Sequence, residues 1–148
     1  MKKFIQKRLN NEKGLTLVEL LAVIVILGII AAIAIPAIGG VIENSKYNAV
    51  KADALNVLSA ANLYFVEDPT ATDAVTATIL ESEGYLDSLG KIPGTASVAP
   101  VAKGENLLTT AAIEFSGTKK ITFTKATITG INKDKVKGTS DGDKTISE

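Results

Sequence analysis

The chain has no Cys and no His. Without thiols there is no disulfide, no thiolate metal site, no Cys nucleophile and no Cys for a lipoprotein anchor. Without imidazole, zinc sites built on His and His-based triads are excluded as well. Much of enzyme chemistry is therefore gone before any motif is sought. Trp is absent, and with three Tyr and four Phe the aromatics are too sparse for a stacking platform along the chain. At 148 residues the chain makes one modest domain at most.

Net charge is zero, but by cancellation. Lys2, Lys3, Lys7, Arg8 and Lys13 face only Glu12 in residues 1–14, so a basic leader precedes a mildly acidic body. The body lacks a basic patch interleaved with aromatics, so no direct nucleic-acid site is evident. Charge is also missing locally: no residue from Leu20 to Ile42 ionises. As a helix this run is about 34 Å long, enough to cross a hydrocarbon core of about 30 Å. The basic cluster in front of it predicts an N-terminus in the cytoplasm and a body outside.

Glu19 stands at the edge of this run. A charge in apolar surroundings is expensive without a partner. Read alone, it is equally a carboxylate snorkelling to the membrane edge. A secretory signal peptide or a plain single-span anchor fits the apolar stretch, although it is long for a signal's apolar core. Neither accounts for Glu19 or for the Gly14–Leu15 junction.

The stretch "KGLTLVELLAVIVILGIIAAIAIPAI" resembles the N-terminus of type IV pilins and their relatives. The resemblance covers about 30 residues and implies a specific fate. A basic leader, residues 1–14, is cut after Gly14 by a membrane prepilin peptidase, and the new N-terminus, Leu15, is N-methylated. Leu15 stands where the family usually has Phe. The family's Glu falls on Glu19, a helix-weakening Gly on Gly28 and a kinking Pro on Pro36. Residues 15–42 are then a transmembrane helix that becomes filament core, and residues 43–148 a globular head.

This answers the puzzle of Glu19. Cleavage creates an α-amino group on Leu15, and a carboxylate four residues on pairs with it, within one helix or from a neighbouring subunit. Pro36 lacks an N–H and clashes with the carbonyl of Ala32, and Gly28 is a weak helix former, so residues 28–36 are the place for unwinding on assembly. The implied partners are copies of the chain itself in a helical homopolymer, membrane lipid before assembly, the peptidase, an assembly ATPase and a membrane platform protein. No cofactor or metal is implied. The implied location is the cytoplasmic membrane first and a cell-surface filament afterwards.

Downstream, Tyr47, Val50, Ala54, Val57, Leu58, Ala61, Tyr64 and Phe65 recur in steps of three and four, predicting an amphipathic continuation of one helix from about Leu15 to about Val66. Asp68-Pro69 should end it. Asp73 is the candidate cap of a short helix through about Ser82, stopped by Gly84. Leu108–Phe115 and Lys120–Thr129 read as strands around a Ser116-Gly117-Thr118 turn, "SVAPVA" as an edge strand, and the polar end as a last strand near Val136 or a loose tail. Ile121, Phe123 and Ile128 do not all share one face, which points to a bulge or a register change. The expected class is α+β, a long helical stem on a small antiparallel sheet of three or four strands, type IV pilin-like. Asp141, Asp143 and Asp134 lack EF-hand spacing, so a solvated turn is favoured over a Ca²⁺ site.

The expected function is a pilus subunit with no reaction of its own. A competence or type II secretion pseudopilin uses the same first 40 residues and stays open. A secreted or membrane-anchored enzyme is the remoter alternative. It would be cut outside, near residues 34–40, rather than inside after Gly14.

Overall fold

The steps of three and four in the second half of the long helix are the face on which the head is built. In the structure, a computed structural model that describes residues 16–148 with their side chains, helix α1 runs Lys2–Glu67 and includes Pro36. The chain divides into two compact units, residues 1–40 and 41–148. The first consists of α1 alone. The second holds the rest of α1 and every other element: β1 (Val75–Thr76), α2 (Ala77–Ser82), β2 (Ser97–Ala99), β3 (Leu107–Thr109), β4 (Ile113–Ser116), β5 (Lys119–Phe123), α3 (Ile128–Lys133) and β6 (Lys144–Ile146).

Within the second unit Tyr47, Val50, Ala54, Val57, Leu58 and Ala61 are buried, so the stripe is the core face of α1. Opposite it lie Leu80, Val98, Leu108, Ile121, Phe123 and Ile131. Burying one such side chain is worth about 1.5–3 kcal/mol, which is how a head without disulfides holds together. Tyr64 and Phe65 are partly buried at its edge, and Tyr64 meets Tyr85 edge-on at 5.6 Å. α1 ends where expected: the Asp68 carboxylate accepts from the Thr70 N–H and hydroxyl, a local turn that competes with further helix. Those bonds also hold the Asp68 carboxyl below its ordinary range.

The class is α+β, as expected, but the strands form two three-stranded sheets rather than one. The first has the order β1-β2-β3 and is antiparallel throughout. "SVAPVA" therefore supplies the central strand, not an edge. The second has the order β4-β5-β6, antiparallel between β4 and β5 and parallel between β5 and β6. A bridge pairs Leu108 of β3 with Ala126, beyond the end of β5, and the Thr110 N–H donates to the Phe123 carbonyl, so backbone bonds tie the two sheets together.

Other local expectations shift for identifiable reasons. Asp73 caps nothing, because Val75 and Thr76 pair with Val98 and Ser97 and α2 begins only after them. Gly84, with φ +83°, lies beyond its end in the left-handed conformation that glycine favours. The strand expected to reach Thr129 stops at Phe123. Lys125 turns with φ 52°, and the Thr127 side chain accepts from the Gly130 N–H to start α3. An N-cap here overrides the β-preference of Ile128 and Thr129. The bulge falls in β4, between Glu114 and Ser116, while Ile128 misses the shared face because it is helical. The last strand is β6; Val136 lies outside it, half exposed between two exposed lysines.

Candidate assembly site

Gly14 and Leu15, the expected cut and methylation sites, lie outside the described residues. Glu19 is described: it lies exposed on α1, and among the described residues no ion pair or hydrogen bond engages its carboxylate. A carboxylate close to a helix N-terminus is favoured by the helix dipole, so a start at Leu15 would suit it.

The apolar residues that follow point in every direction around α1. Val23, Ile24, Val25, Ile26 and Leu27 occupy successive 100° steps, and all are more than half exposed; Ile33 and Ile35 reach 71% and 70%. A helix apolar on all faces has no stable place in water. Covering this one, by lipid or by protein, is worth on the order of tens of kcal/mol. Gly28 has open space where a Cβ would stand. Pro36 sits within continuous helix, giving no hydrogen to the carbonyl of Ala32. Both positions are thus helical in the single chain.

In the head, a polar clasp fastens the segment around Asp134 onto α1. The Asp134 carboxylate accepts from the Tyr47 hydroxyl at 2.7 Å and from Lys51 Nζ at 3.0 Å, and Lys51 also donates to the Asp134 carbonyl at 2.9 Å. Burial alone would raise the Asp134 carboxyl; the bonds from Tyr47, Lys51 and the Val136 N–H outweigh it and hold the group below its ordinary range. Burial first, and the Asp134 carboxylate second, push the Tyr47 phenol well above its usual range. Further along, the Thr139 N–H donates to Asn44, and Lys119 pairs with Glu43 at 2.9 Å. Gly138 lies so close to α1 that a Cβ would stand 2.8 Å from the Glu43 carbonyl. The buried Lys144 donates to the Ser140 and Gly142 carbonyls and lies over the Phe115 ring.

Sequence reasoning missed this clasp. It drew nothing from Lys51 and treated Asp134 only as a weak cation ligand. The available signal was a lone Asp among Lys133, Lys135 and Lys137, with a Gly four residues on. Among the described residues no group of acidic side chains is arranged to hold a metal.

A lone acid beside an all-round apolar helix, continued into an α+β head, is a pilin-like arrangement. Two comparisons agree with it. Residues 9–35 match the family model described as the prokaryotic N-terminal methylation motif. The chain is also 36% identical over 86 residues to the type IV major fimbrial protein FimA of Dichelobacter nodosus. That match covers 57% of this chain and 54% of the relative, so it spans about half the relative's length. No solved structure matches the chain.

Proposed function

We propose that this chain is the structural subunit of a type IV pilus filament. The reading rests on one observation above all: the methylation motif at residues 9–35 coincides with a helix whose apolar side chains are uncovered on every face. In this reading the prepilin inserts with its N-terminus in the cytoplasm and is held by membrane lipid. Prepilin peptidase cuts after Gly14 and Leu15 is N-methylated. An assembly ATPase and a platform protein then lift the subunit into a homopolymer, where neighbouring helices replace lipid. The relative's description as a major fimbrial protein favours a major pilin over a pseudopilin. The chain then has a structural role and catalyses nothing itself.

Glu19 in this reading pairs with the Leu15 amine of a neighbouring subunit. A subunit docked one step out leaves two charges unpaired in an apolar core, which selects the register. Residues 28–36 lengthen on packing, where Pro36 and Gly28 make the helix weakest.

Mass spectrometry of the N-terminal peptide from sheared cell-surface material tests the reading. The expected peptide begins at N-methyl-Leu15. An N-terminus near Gly39 would show an ordinary secreted protein instead and overturn it.

A further inference from the structure

The head carries its charge in two separate places. From Ala52 to Gly90 there is no Lys or Arg, whereas Glu67, Glu81, Glu83 and Asp87 lie exposed there. From Lys119 to Lys137 there are six lysines and one acid, Asp134. That acid is already occupied by Tyr47 and Lys51. Lys119 is paired with Glu43, and Lys120 stands opposite Glu114 in the sheet. Of the four lysines that remain, Lys135 and Lys137 form a ridge, exposed on either side of Val136, itself 47% exposed.

The clasp makes the ridge rigid. Asp134 anchors one end through Tyr47 and Lys51, and Gly138 and Thr139 anchor the other on Glu43, Asn44 and Tyr47. An apolar knob between two cations is therefore presented in one conformation, with its ordering entropy already spent in folding.

The same head has a groove of matching character. It is about 380 Å³ and lies between α1 and the 85–88 loop, lined by Asn56, Leu63, Tyr85, Leu86 and Asp87 among others. Leu63 is 58% exposed. Asp87 lines the groove beside Leu63 and Leu86, Tyr85 at the same groove donates its hydroxyl to Glu67, and exposed Glu83 precedes Tyr85 by two residues, so one acid lines the groove and two more stand next to it. Ridge and groove contact α1 around residues 43–51 and 56–67 respectively, about 20 Å apart along the helix. One molecule cannot bring its own ridge to its own groove.

We infer that the Lys135-Val136-Lys137 ridge of one copy docks into the groove between α1 and the 85–88 loop of a second copy. Val136 meets Leu63 and Leu86, and the two lysines face Asp87 and Glu83. The occupant is another copy because each surface supplies the charge that the other lacks and both offer an exposed apolar side chain. Two different patches in head-to-tail contact form a ring where the rotation closes and an open helical chain where it does not, and the filament reading takes the open chain. This rests on the filament reading and adds to it a second, polar contact that sets how heads follow one another.

The test is charge exchange in cells that make the full-length chain. Sheared surface filament is measured against total subunit for four forms: wild type, Lys135→Glu with Lys137→Glu, Glu83→Lys with Asp87→Lys, and all four substitutions together. All four positions are exposed, and total subunit level with a thermal melt verifies that each variant folds. Like charges set against each other cost several kcal/mol, so each pair alone should lower filament at least about tenfold, and the fourfold exchange should restore it. Undiminished filament in both pair variants would overturn the docking contact while leaving the filament reading intact. Loss with the lysine changes that the fourfold exchange does not restore would assign the ridge to an anionic lipid surface, and would also overturn it. A wild type that yields no filament and no cut at Gly14 would remove both readings together.

Discussion

The Tyr47 hydroxyl donates to the Asp134 carboxylate at 2.7 Å, closing a loop of chain 87 residues long. With Lys51 at 3.0 Å, this bond sets where the last quarter of the chain sits on the helix. Lys51 and Asp134 are largely buried, so their pairing counts for more than a surface ion pair.

Asp134→Ala should lower head stability by about 2 kcal/mol, because the Tyr47 hydroxyl loses its acceptor and Lys51 keeps only a carbonyl. A fall of roughly 10 °C in Tm is expected in a thermal melt followed by circular dichroism. The pH dependence has a definite sign. Asp134 has a folded pKa below its ordinary value of 3.8. Its stabilising contribution is complete above that value and disappears as pH falls through the lower, folded one. Wild type should therefore lose Tm more steeply than Asp134→Asn in that acid range. Parallel curves for the two would show that the carboxylate's charge adds nothing.

Gly138→Ala should destabilise the head by about 2 kcal/mol or more. The new methyl would stand 2.8 Å from both the Glu43 carbonyl and the Tyr47 Cβ, and 3.1 Å from the Asn44 Cα, where backbone cannot yield. A denaturant titration checks this. An unchanged midpoint would mean that the segment lifts off α1 without loss.

Glu19→Ala should leave the amount of subunit in the membrane unchanged and reduce sheared filament at least about tenfold, since an unpaired buried charge costs several kcal/mol. The comparison is immunoblotting of sheared against cell-bound fractions. Normal filament yield at normal subunit level would sink the pairing with Leu15.

Gly28→Ala combined with Pro36→Ala should keep residues 28–36 helical inside filaments. Helix-interior Gly and Pro are worse than Ala by about 1 and about 3 kcal/mol. Hydrogen exchange read by mass spectrometry on intact filaments should find amides of this stretch unprotected in wild type and protected in the double variant. Uniform protection along the wild-type helix would mean that nothing unwinds there.

The long helix, its apolar first half and its buried stripe were legible because each is a local pattern. Period 3.6 and an uncharged run of 23 residues depend on near neighbours alone, and so did the end of α1 before Asp68-Pro69. The strands were legible neither in number nor in partnership: three or four were expected in one sheet, and six form two. β1 is two residues long and exists only because β2 pairs with it. α3 occupies a β-prone stretch because a cap at Thr127 and burial of Ile131 outweigh propensity.

By itself, then, the sequence determined that this chain has a basic stretch in residues 1–14, a helix with no stable place in water, and no thiol or imidazole chemistry. Those conclusions follow from composition and spacing, which need no long-range contact. Only the tertiary structure decided that Asp134 meets Tyr47 and Lys51, that Lys135, Val136 and Lys137 stand out as a fixed ridge, and that Leu63 and Asp87 share a groove. These are partnerships between residues tens of positions apart. Many pairings of a few lysines and carboxylates satisfy the sequence equally, and only the packing of the sheets on α1 brings one set within bonding distance.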